Sequence, residues 1–98
     1  MDTQFGIMIR TLRVGLNLYL RQVAPLLQMD TAQLSKIEKG QRQLKREQIP
    51  LLASILKADQ NDLLTLWLAD QLYEIVKDEK LGSKAIQVIE EKIKKRKH

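Results

Sequence analysis

One segment, residues 20–40 with the sequence LRQVAPLLQMDTAQLSKIEKG, constrains the fold more than any other part of the chain. It places a small residue, Ala24, in a short apolar stretch that is followed by a turn. Two apolar residues three positions apart, Leu34 and Ile37, then indicate a second short helix. Gly40 follows at the position where a left-handed backbone ends a helix. The segment therefore predicts two helices that cross closely at a small side chain and leave one face of the second helix free.

Apolar residues at helical spacing continue through the rest of the chain, and no alternation typical of a strand appears. We therefore expect an all-α fold, with helices over residues 3–16, 20–27, 31–39, 46–57 and 59–77 and a sixth helix capped by Ser83. Residues 1–58 are predicted to form the main domain, and residues 59–98 a helical dimerisation extension with a basic tail.

The predicted helix over residues 59–77 is apolar on more than one face. Such a helix cannot lie on a small globule with one side in water, so it needs a second partner. A second copy of the chain is the partner that we expect. The predicted dimer interface consists of apolar residues from the last two helices: Leu64, Trp67, Leu68, Leu72, Ile75, Ile86 and Ile89.

The net charge of +5 is unevenly distributed along the 98 residues. Residues 1–57 carry nine basic and four acidic side chains, residues 58–91 carry three basic and eight acidic, and residues 92–98 carry five basic and none acidic. A basic domain favours phosphate backbones, because binding releases their condensed counterions. Lysines also keep small proteins soluble, so the charge alone leaves both interpretations open.

The composition argues against several classes of protein. The chain has no cysteine, which excludes disulfides, cysteine-ligated zinc and thiol catalysis. No apolar run approaches the roughly 20 residues of a membrane span, and the N-terminus lacks the layout of a signal peptide. No glycine-rich phosphate loop, nucleophile elbow or metal-ligand spacing appears. We therefore expect a cytoplasmic protein that is not an enzyme and that binds no cofactor, metal or membrane.

Residues 5–58, and most specifically the tract LSKIEKG that ends at Gly40, resemble the phage repressor and Cro type of helix-turn-helix, also called the Xre family. The resemblance implies a lambda-repressor-like helical bundle and a transcriptional regulator that binds double-stranded DNA. A second tract, LLTLWLADQLYEIVKDE within residues 62–79, resembles the C-terminal part of the Xre-type regulators that accompany restriction–modification systems.

Matched residue by residue, the resemblance implies roles for particular side chains. The start of the second helix of the motif faces the major groove, where hydrogen-bonding and methyl groups read base edges. The positions implied for base contact hold Thr31, Ala32, Gln33 and Lys36. The positions implied for phosphate contact hold Arg10, Tyr19, Arg21, Gln22, Lys39, Arg42 and Gln43. Arg13 and Glu38 match a pair that often forms a structural ion pair between helices.

Two residues depart from the family pattern. Members usually have glycine at the turn after the first helix of the motif, and this chain has Gln28. A left-handed backbone there would cost roughly 1 kcal/mol, which packing can absorb. Pro25 falls inside the predicted helix over residues 20–27, where it removes one hydrogen bond and is expected to kink or shorten the helix.

Taken together, the sequence predicts a homodimer that places one recognition helix in each half-site of an operator. The half-sites would be about 10 base pairs apart if the two helices sit one duplex turn apart. An antitoxin-like protein is the alternative, in which the C-terminal helices bind a toxin instead of a second copy. Binding of single-stranded RNA is a third hypothesis. It has little support, because Tyr19 is the one aromatic residue near the proposed contact surface.

Overall fold

The computed structural model describes residues 2–96, and every regular element in that range is helical. The predicted all-α fold is therefore confirmed. The chain forms six α-helices and two 3₁₀ turns within the described range: α1 (Gln4–Gly15), α2 (Leu20–Val23), a 3₁₀ turn (Ala24–Leu27), α3 (Thr31–Glu38), a 3₁₀ turn (Arg46–Gln48), α4 (Ile49–Leu56), α5 (Gln60–Val76) and α6 (Gly82–Arg96). Met1, Lys97 and His98 lie outside the described residues, and with them the end of the predicted basic tail.

Proline shortens the second helix as its position predicts. Helix α2 ends at Val23, and the chain continues through Pro25 as the 3₁₀ turn Ala24–Leu27. One predicted cap is wrong. Helix α6 begins at Gly82, so Ser83 lies inside its first turn and does not precede it. Gly82 is buried against α5, where a Cβ would lie 2.7 Å from the carbonyl oxygen of Val76, and this close approach fixes where the helix begins.

A single apolar core runs from α1 to the first turn of α5. Burying each of its larger side chains contributes about 1.5–3 kcal/mol. The core does not stop at residue 58, because Leu63 is completely buried. Its members are Phe5, Ile9, Val23, Ala24, Leu27, Leu34, Ile37, Leu44, Ile49, Leu52, Ala53, Leu56 and Leu63.

Several helices end through the same backbone motif, in which a left-handed residue turns two N–H groups back onto the last carbonyls. After α3, Gly40 has φ 75°, its N–H donates to the carbonyl of Ile37, and the next N–H donates to Lys36. The same pattern follows the 3₁₀ turn Ala24–Leu27, where Gln28 has φ 57°. Gln28 thus adopts a left-handed conformation that glycine would adopt without steric cost.

The N-termini of the longer helices are closed by side-chain caps. Thr3, Asp30 and Asp59 each accept a hydrogen bond from a backbone N–H in the first turn of the helix that follows. Helix α1 also has a cap from a distant part of the chain. The two carboxylate oxygens of Asp70 on α5 accept hydrogen bonds from the N–H groups of Gln4 (3.0 Å) and Phe5 (2.9 Å).

One face of the C-terminal half of α5 and most of α6 are not covered by the core. Their exposed apolar residues include Leu68, Leu72, Ile75, Ile86 and Ile89, and Ile75 is 72 % exposed. Helix α6 packs only slightly against the other helices. The radius of gyration is 15.3 Å, compared with about 13 Å for a compact domain of this size. Of the residues predicted for a dimer interface, Leu64 and Trp67 also pack partly against the chain's own core, and their role in an interface stays a prediction. None of the helices within residues 2–96 combines the length and apolar character that a membrane crossing requires.

Candidate nucleic-acid interface

Helix α3 presents one buried face and one open face. Leu34, Ile37 and Glu38 form the buried face. Residues predicted for base contact lie on the other side, where Thr31, Ala32 and Lys36 are exposed and Gln33 is half-buried at the edge. Sequence reasoning missed Ser35, which lies on the same open side, four residues after Thr31 and four before Lys39. The helical period of 3.6 residues would have identified it.

A glycine lets α1 and α3 approach each other closely. A Cβ on Gly6 would collide with the carbonyl oxygen of Glu38 and would lie 2.9 Å from that of Ile37. The predicted crossing residue Ala24 is also completely buried. Gly6 was not predicted, because its partners lie more than 30 residues away in the sequence. Two small residues therefore bring the neighbouring helices against α3.

An ion pair fixes the angle between α1 and α3. Arg13 donates from Nε to Oε2 of Glu38 (2.7 Å) and from Nη2 to Oε1 (2.9 Å), and its Nη1 donates to the carbonyl of Leu18 (2.8 Å). The two side chains are only 11 % and 5 % exposed. The hydrogen bonds that Arg13 donates to the Glu38 carboxylate raise the pKa of Arg13 above its ordinary value, although burial acts in the opposite direction. This two-point geometry is more specific than a single charge contact.

A hydrogen bond from a residue far along the chain holds the turn between the two helices of the motif. The side-chain amide of Gln48 donates to the carbonyl of Leu27 (2.8 Å), just before the left-handed Gln28. Asp30 then caps α3 by accepting a hydrogen bond from the N–H of Gln33 (2.7 Å). Asp30 directly precedes the helix that it caps, so its role is of a kind that local sequence can indicate, whereas nothing in the local sequence indicates the role of Gln48.

The start of α2 brings several residues predicted for phosphate contact together. The guanidinium carbon of Arg21 lies 4.3 Å from the centre of the exposed Tyr19 ring, a cation–π arrangement that limits the motion of both side chains. The Oε1 atom of Gln22 accepts a hydrogen bond from the N–H of Tyr19 (2.7 Å). That bond uses the oxygen of the Gln22 side-chain amide and not its two N–H donors.

The chain after α3 forms a loop over residues 40–45, which we call the basic loop. Its residues Arg42 and Gln43 are exposed, whereas Leu44 is buried in the core. The indole Nε1 of Trp67 on α5 donates to the carbonyl of Leu44 (2.8 Å). Lys39, which ends α3, leads directly into the loop. Arg10 is also exposed, but it lies on α1, one helical turn before Arg13.

Charge and fold together define the class of protein. The open face of α3, the start of α2 and the basic loop carry Arg21, Lys36, Lys39 and Arg42, all exposed. Within residues 2–96, no three or more histidine, cysteine, aspartate or glutamate side chains group together so as to bind a metal. Two short helices crossing around a tight turn, with a free outer face on the second, constitute a helix-turn-helix fold.

Comparison with known families leads to the same class. Residues 4–66 match a helix-turn-helix domain family, and the chain belongs to that family. No curated protein and no solved structure matches the chain. A helix-turn-helix domain indicates a DNA-binding regulator.

Proposed function

We propose that this protein is a sequence-specific transcriptional regulator that binds double-stranded DNA as a homodimer, with α3 in the major groove of each half-site. The open face of α3 carries the proposal, because Leu34 and Ile37 bury the opposite face and the Arg13–Glu38 pair braces the helix. A braced helix with a polar outer face suits a groove that is about 12 Å wide.

The proposed base contacts follow from the chemistry of the exposed side chains. Gln33 has an amide that can pair with the N6 and N7 atoms of adenine, and Lys36 can donate to guanine O6 or N7. Ala32 and the methyl group of Thr31 are suited to the thymine methyl. We add Ser35, because its hydroxyl lies on the same side of the helix.

The proposed phosphate contacts surround this helix. Arg42 and Gln43 in the basic loop and Lys39 lie at the C-terminal side of α3, whereas Arg21 and its neighbours lie at the start of α2. Each neutralised phosphate adds affinity that is independent of sequence and falls with salt. This group of proposed phosphate contacts consists of Arg10, Tyr19, Arg21, Gln22, Lys39, Arg42 and Gln43.

A second copy of the chain is proposed to cover the exposed apolar residues of α5 and α6. Leu68, Leu72 and Ile75 share one face of α5, and Ile86 and Ile89 share one face of α6. Exposed apolar residues at helical spacing on both helices favour a protein partner. A symmetric pair would present two copies of α3, and half-sites about 10 base pairs apart would match one duplex turn.

The biological setting is part of the same proposal. We place the protein in the Xre type and, within it, among controllers of restriction–modification operons, because of the tract over residues 62–79. It would act in the cytoplasm without catalysis, cofactor or metal. Bound to DNA, it would either block a promoter or recruit the transcription machinery to it.

The direct test is a titration of the full-length protein with double-stranded oligonucleotides, including selection from a random pool. Lys36→Ala should weaken binding to the selected site by about 1–3 kcal/mol and relax one operator position. Arg42→Ala should weaken binding to all duplexes alike and reduce the salt slope by up to about 0.9. Lys80→Ala is the matched control, because this exposed lysine lies between α5 and α6. Absence of binding by the wild-type protein to any duplex would refute the proposal.

The homodimer is tested by mass in solution. Ile89→Glu should convert dimers to monomers, because it places a charge in the proposed interface. Val88→Glu is the control, since Val88 is 65 % exposed and lies on the opposite face of the same helix. A wild-type protein that is monomeric or aggregated when alone, and soluble only with another protein, would instead favour the antitoxin-like alternative.

A further inference from the structure

We infer that Trp67 is a positioning residue for the basic loop, and that its indole N–H helps to hold Arg42 and Gln43 where they can meet phosphates. The inference rests on the proposed DNA binding. It adds a role that neither the helix-turn-helix match nor the predicted contacts include, because Trp67 lies on α5, just after the matched residues 4–66.

The basic loop is anchored at both ends, and the anchors differ in kind. At its start, the N–H of Gln41 donates to the carbonyl of Lys36 (2.8 Å), so that the loop leaves α3 in a fixed direction. At its end, the side chain of Leu44 is 2 % exposed in the core. The carbonyl of Leu44 accepts the hydrogen bond from Trp67. The indole therefore fixes the peptide group that orients the last residues of the loop.

Arg42 is close enough to this anchor to be affected by it. Two residues of chain span at most about 7 Å, so the backbone of Arg42 cannot move far while Leu44 is held. The loop and α5 also line one open groove, to which Arg42, Gln43, Trp67 and Asp70 contribute. Arg42 and Gln43 are both exposed, so the hydrogen bond at Leu44 is the contact by which α5 limits the motion of this end of the loop.

Helix α5 holds the indole N–H donor of Trp67 in a fixed position. Leu63, one turn before Trp67, is completely buried. Asp70, almost one turn after it, accepts hydrogen bonds from the N–H groups of Gln4 and Phe5. The indole is therefore attached to a segment of helix that is fixed on both sides. Because the same helix carries the exposed apolar residues proposed for dimerisation, the loop is also linked to the assembly of two copies.

The test separates the hydrogen bond from the packing of the ring. Trp67→Phe keeps an aromatic ring in the core and removes the donor. We expect it to weaken binding to all duplexes about threefold to tenfold and to reduce the salt slope, as Arg42→Ala does. In the Arg42→Ala background, Trp67→Phe should weaken duplex binding by less than about twofold, because the guanidinium group that Trp67 positions is already absent. Tyr73→Phe removes an exposed hydroxyl from the same helix and should leave affinity and slope unchanged.

A measurement on the wild-type protein does not depend on the variants folding. Coupling between two sites is reciprocal, so bound duplex should slow the exchange of the Trp67 indole proton with solvent. Three results would each overturn the positioning role while leaving the proposed DNA binding intact. They are fully additive effects of Trp67→Phe and Arg42→Ala on affinity, an unchanged salt slope in Trp67→Phe, and an indole exchange rate that bound duplex does not alter. A wild-type protein that binds no duplex would overturn both.

Discussion

The bundle formed by α1 to the first turn of α5 and the extension formed by the rest of α5 and α6 bury their apolar residues to very different degrees. In the bundle, the core side chains are at most 4 % exposed. In the extension, several apolar residues at helical spacing, among them Leu72, Ile75 and Ile89, are 46 % or more exposed, and α6 packs only slightly against the other helices. The two regions use the same helix-forming residue types and the same spacing.

The difference shows which region depends on a partner. Helical spacing gives a helix an apolar stripe, but the stripe contributes stability only where something covers it. The bundle covers its own stripes through close approaches at Gly6 and Ala24. The face of the extension that carries Leu72, Ile75 and Ile89 has no such neighbour within residues 2–96. We therefore expect changes in the bundle to alter folding of one chain, and changes in the extension to alter assembly.

The largest effect is expected for the ion pair in the bundle. Arg13→Ala should lower the free energy of unfolding by about 3–5 kcal/mol, because it leaves the carboxylate of Glu38 buried without its charge partner. Chemical denaturation of the purified protein measures this loss. Lys77→Ala is the control, since its ion pair with Glu74 lies at the surface, where solvent screens it, and the loss of stability should be far smaller. Equal losses in the two variants would contradict the distinction between the regions.

The next effect concerns the contact between α1 and α3. Gly6→Ala should destabilise the protein by about 1–3 kcal/mol, because the new methyl group meets two backbone carbonyls that cannot rotate away. The helices would have to separate, so binding to duplex DNA should also weaken. Gly15→Ala, on the same helix and with nothing within 4 Å of the added Cβ, is the control. A fully stable Gly6→Ala protein would mean that the two helices are not in close contact.

The apparent stability of the protein is expected to depend on its concentration, because of the extension. If a second copy covers it, each tenfold rise in protein concentration should add about 1.4 kcal/mol to the apparent stability of the dimer. Thermal unfolding over a hundredfold range of concentration provides the measurement. The dependence should vanish in Ile89→Glu and persist in Val88→Glu. A wild-type midpoint that does not change with concentration would show that the extension is not covered by a second copy.

The smallest effect is an expected gain. Gln28→Gly should stabilise the bundle by about 0.5–1 kcal/mol, because Gln28 has φ 57° and glycine adopts that conformation without steric cost. Gln28→Ala retains the strain of a Cβ and should give no gain, which makes it the matched control. Denaturant midpoints of the three proteins distinguish these outcomes. A gain of the same size in Gln28→Ala would show that the left-handed backbone is not the cause.

Much of the bundle was predictable because its signals are local. The pair Leu34 and Ile37, the cap Asp30 and the terminating Gly40 all lie within one short segment, and a helix or its end follows from neighbouring residues alone. The roles of Thr31, Ala32, Gln33 and Lys36 in base contact stay predictions, as do the phosphate contacts, because they require a bound duplex. The exposed position of most of these residues is a structural fact that agrees with such roles.

The residues that sequence reasoning missed act over long separations. Gln48 reaches Leu27 across 21 positions, and Trp67 reaches Leu44 across 23. No periodicity or cap rule connects positions so far apart. Trp67 was predicted to pack in a dimer interface, which stays a prediction, and its ring lies partly against the chain's own core. A tryptophan side chain can pack against apolar residues and also donate a hydrogen bond from its indole N–H. The pattern of apolar residues in the sequence does not show which neighbours it will contact.

The cap that Asp70 places on the start of α1 has a consequence for synthesis on the ribosome. The amides of Gln4 and Phe5 are made at least 65 residues before the carboxylate that accepts their hydrogen bonds. Until that carboxylate has left the exit tunnel, the nascent helix begins with two donors that only water can satisfy. A chain released early, before residue 70 is free, would thus carry a weakened first helix, and such truncated products should be cleared by proteases faster than the finished protein.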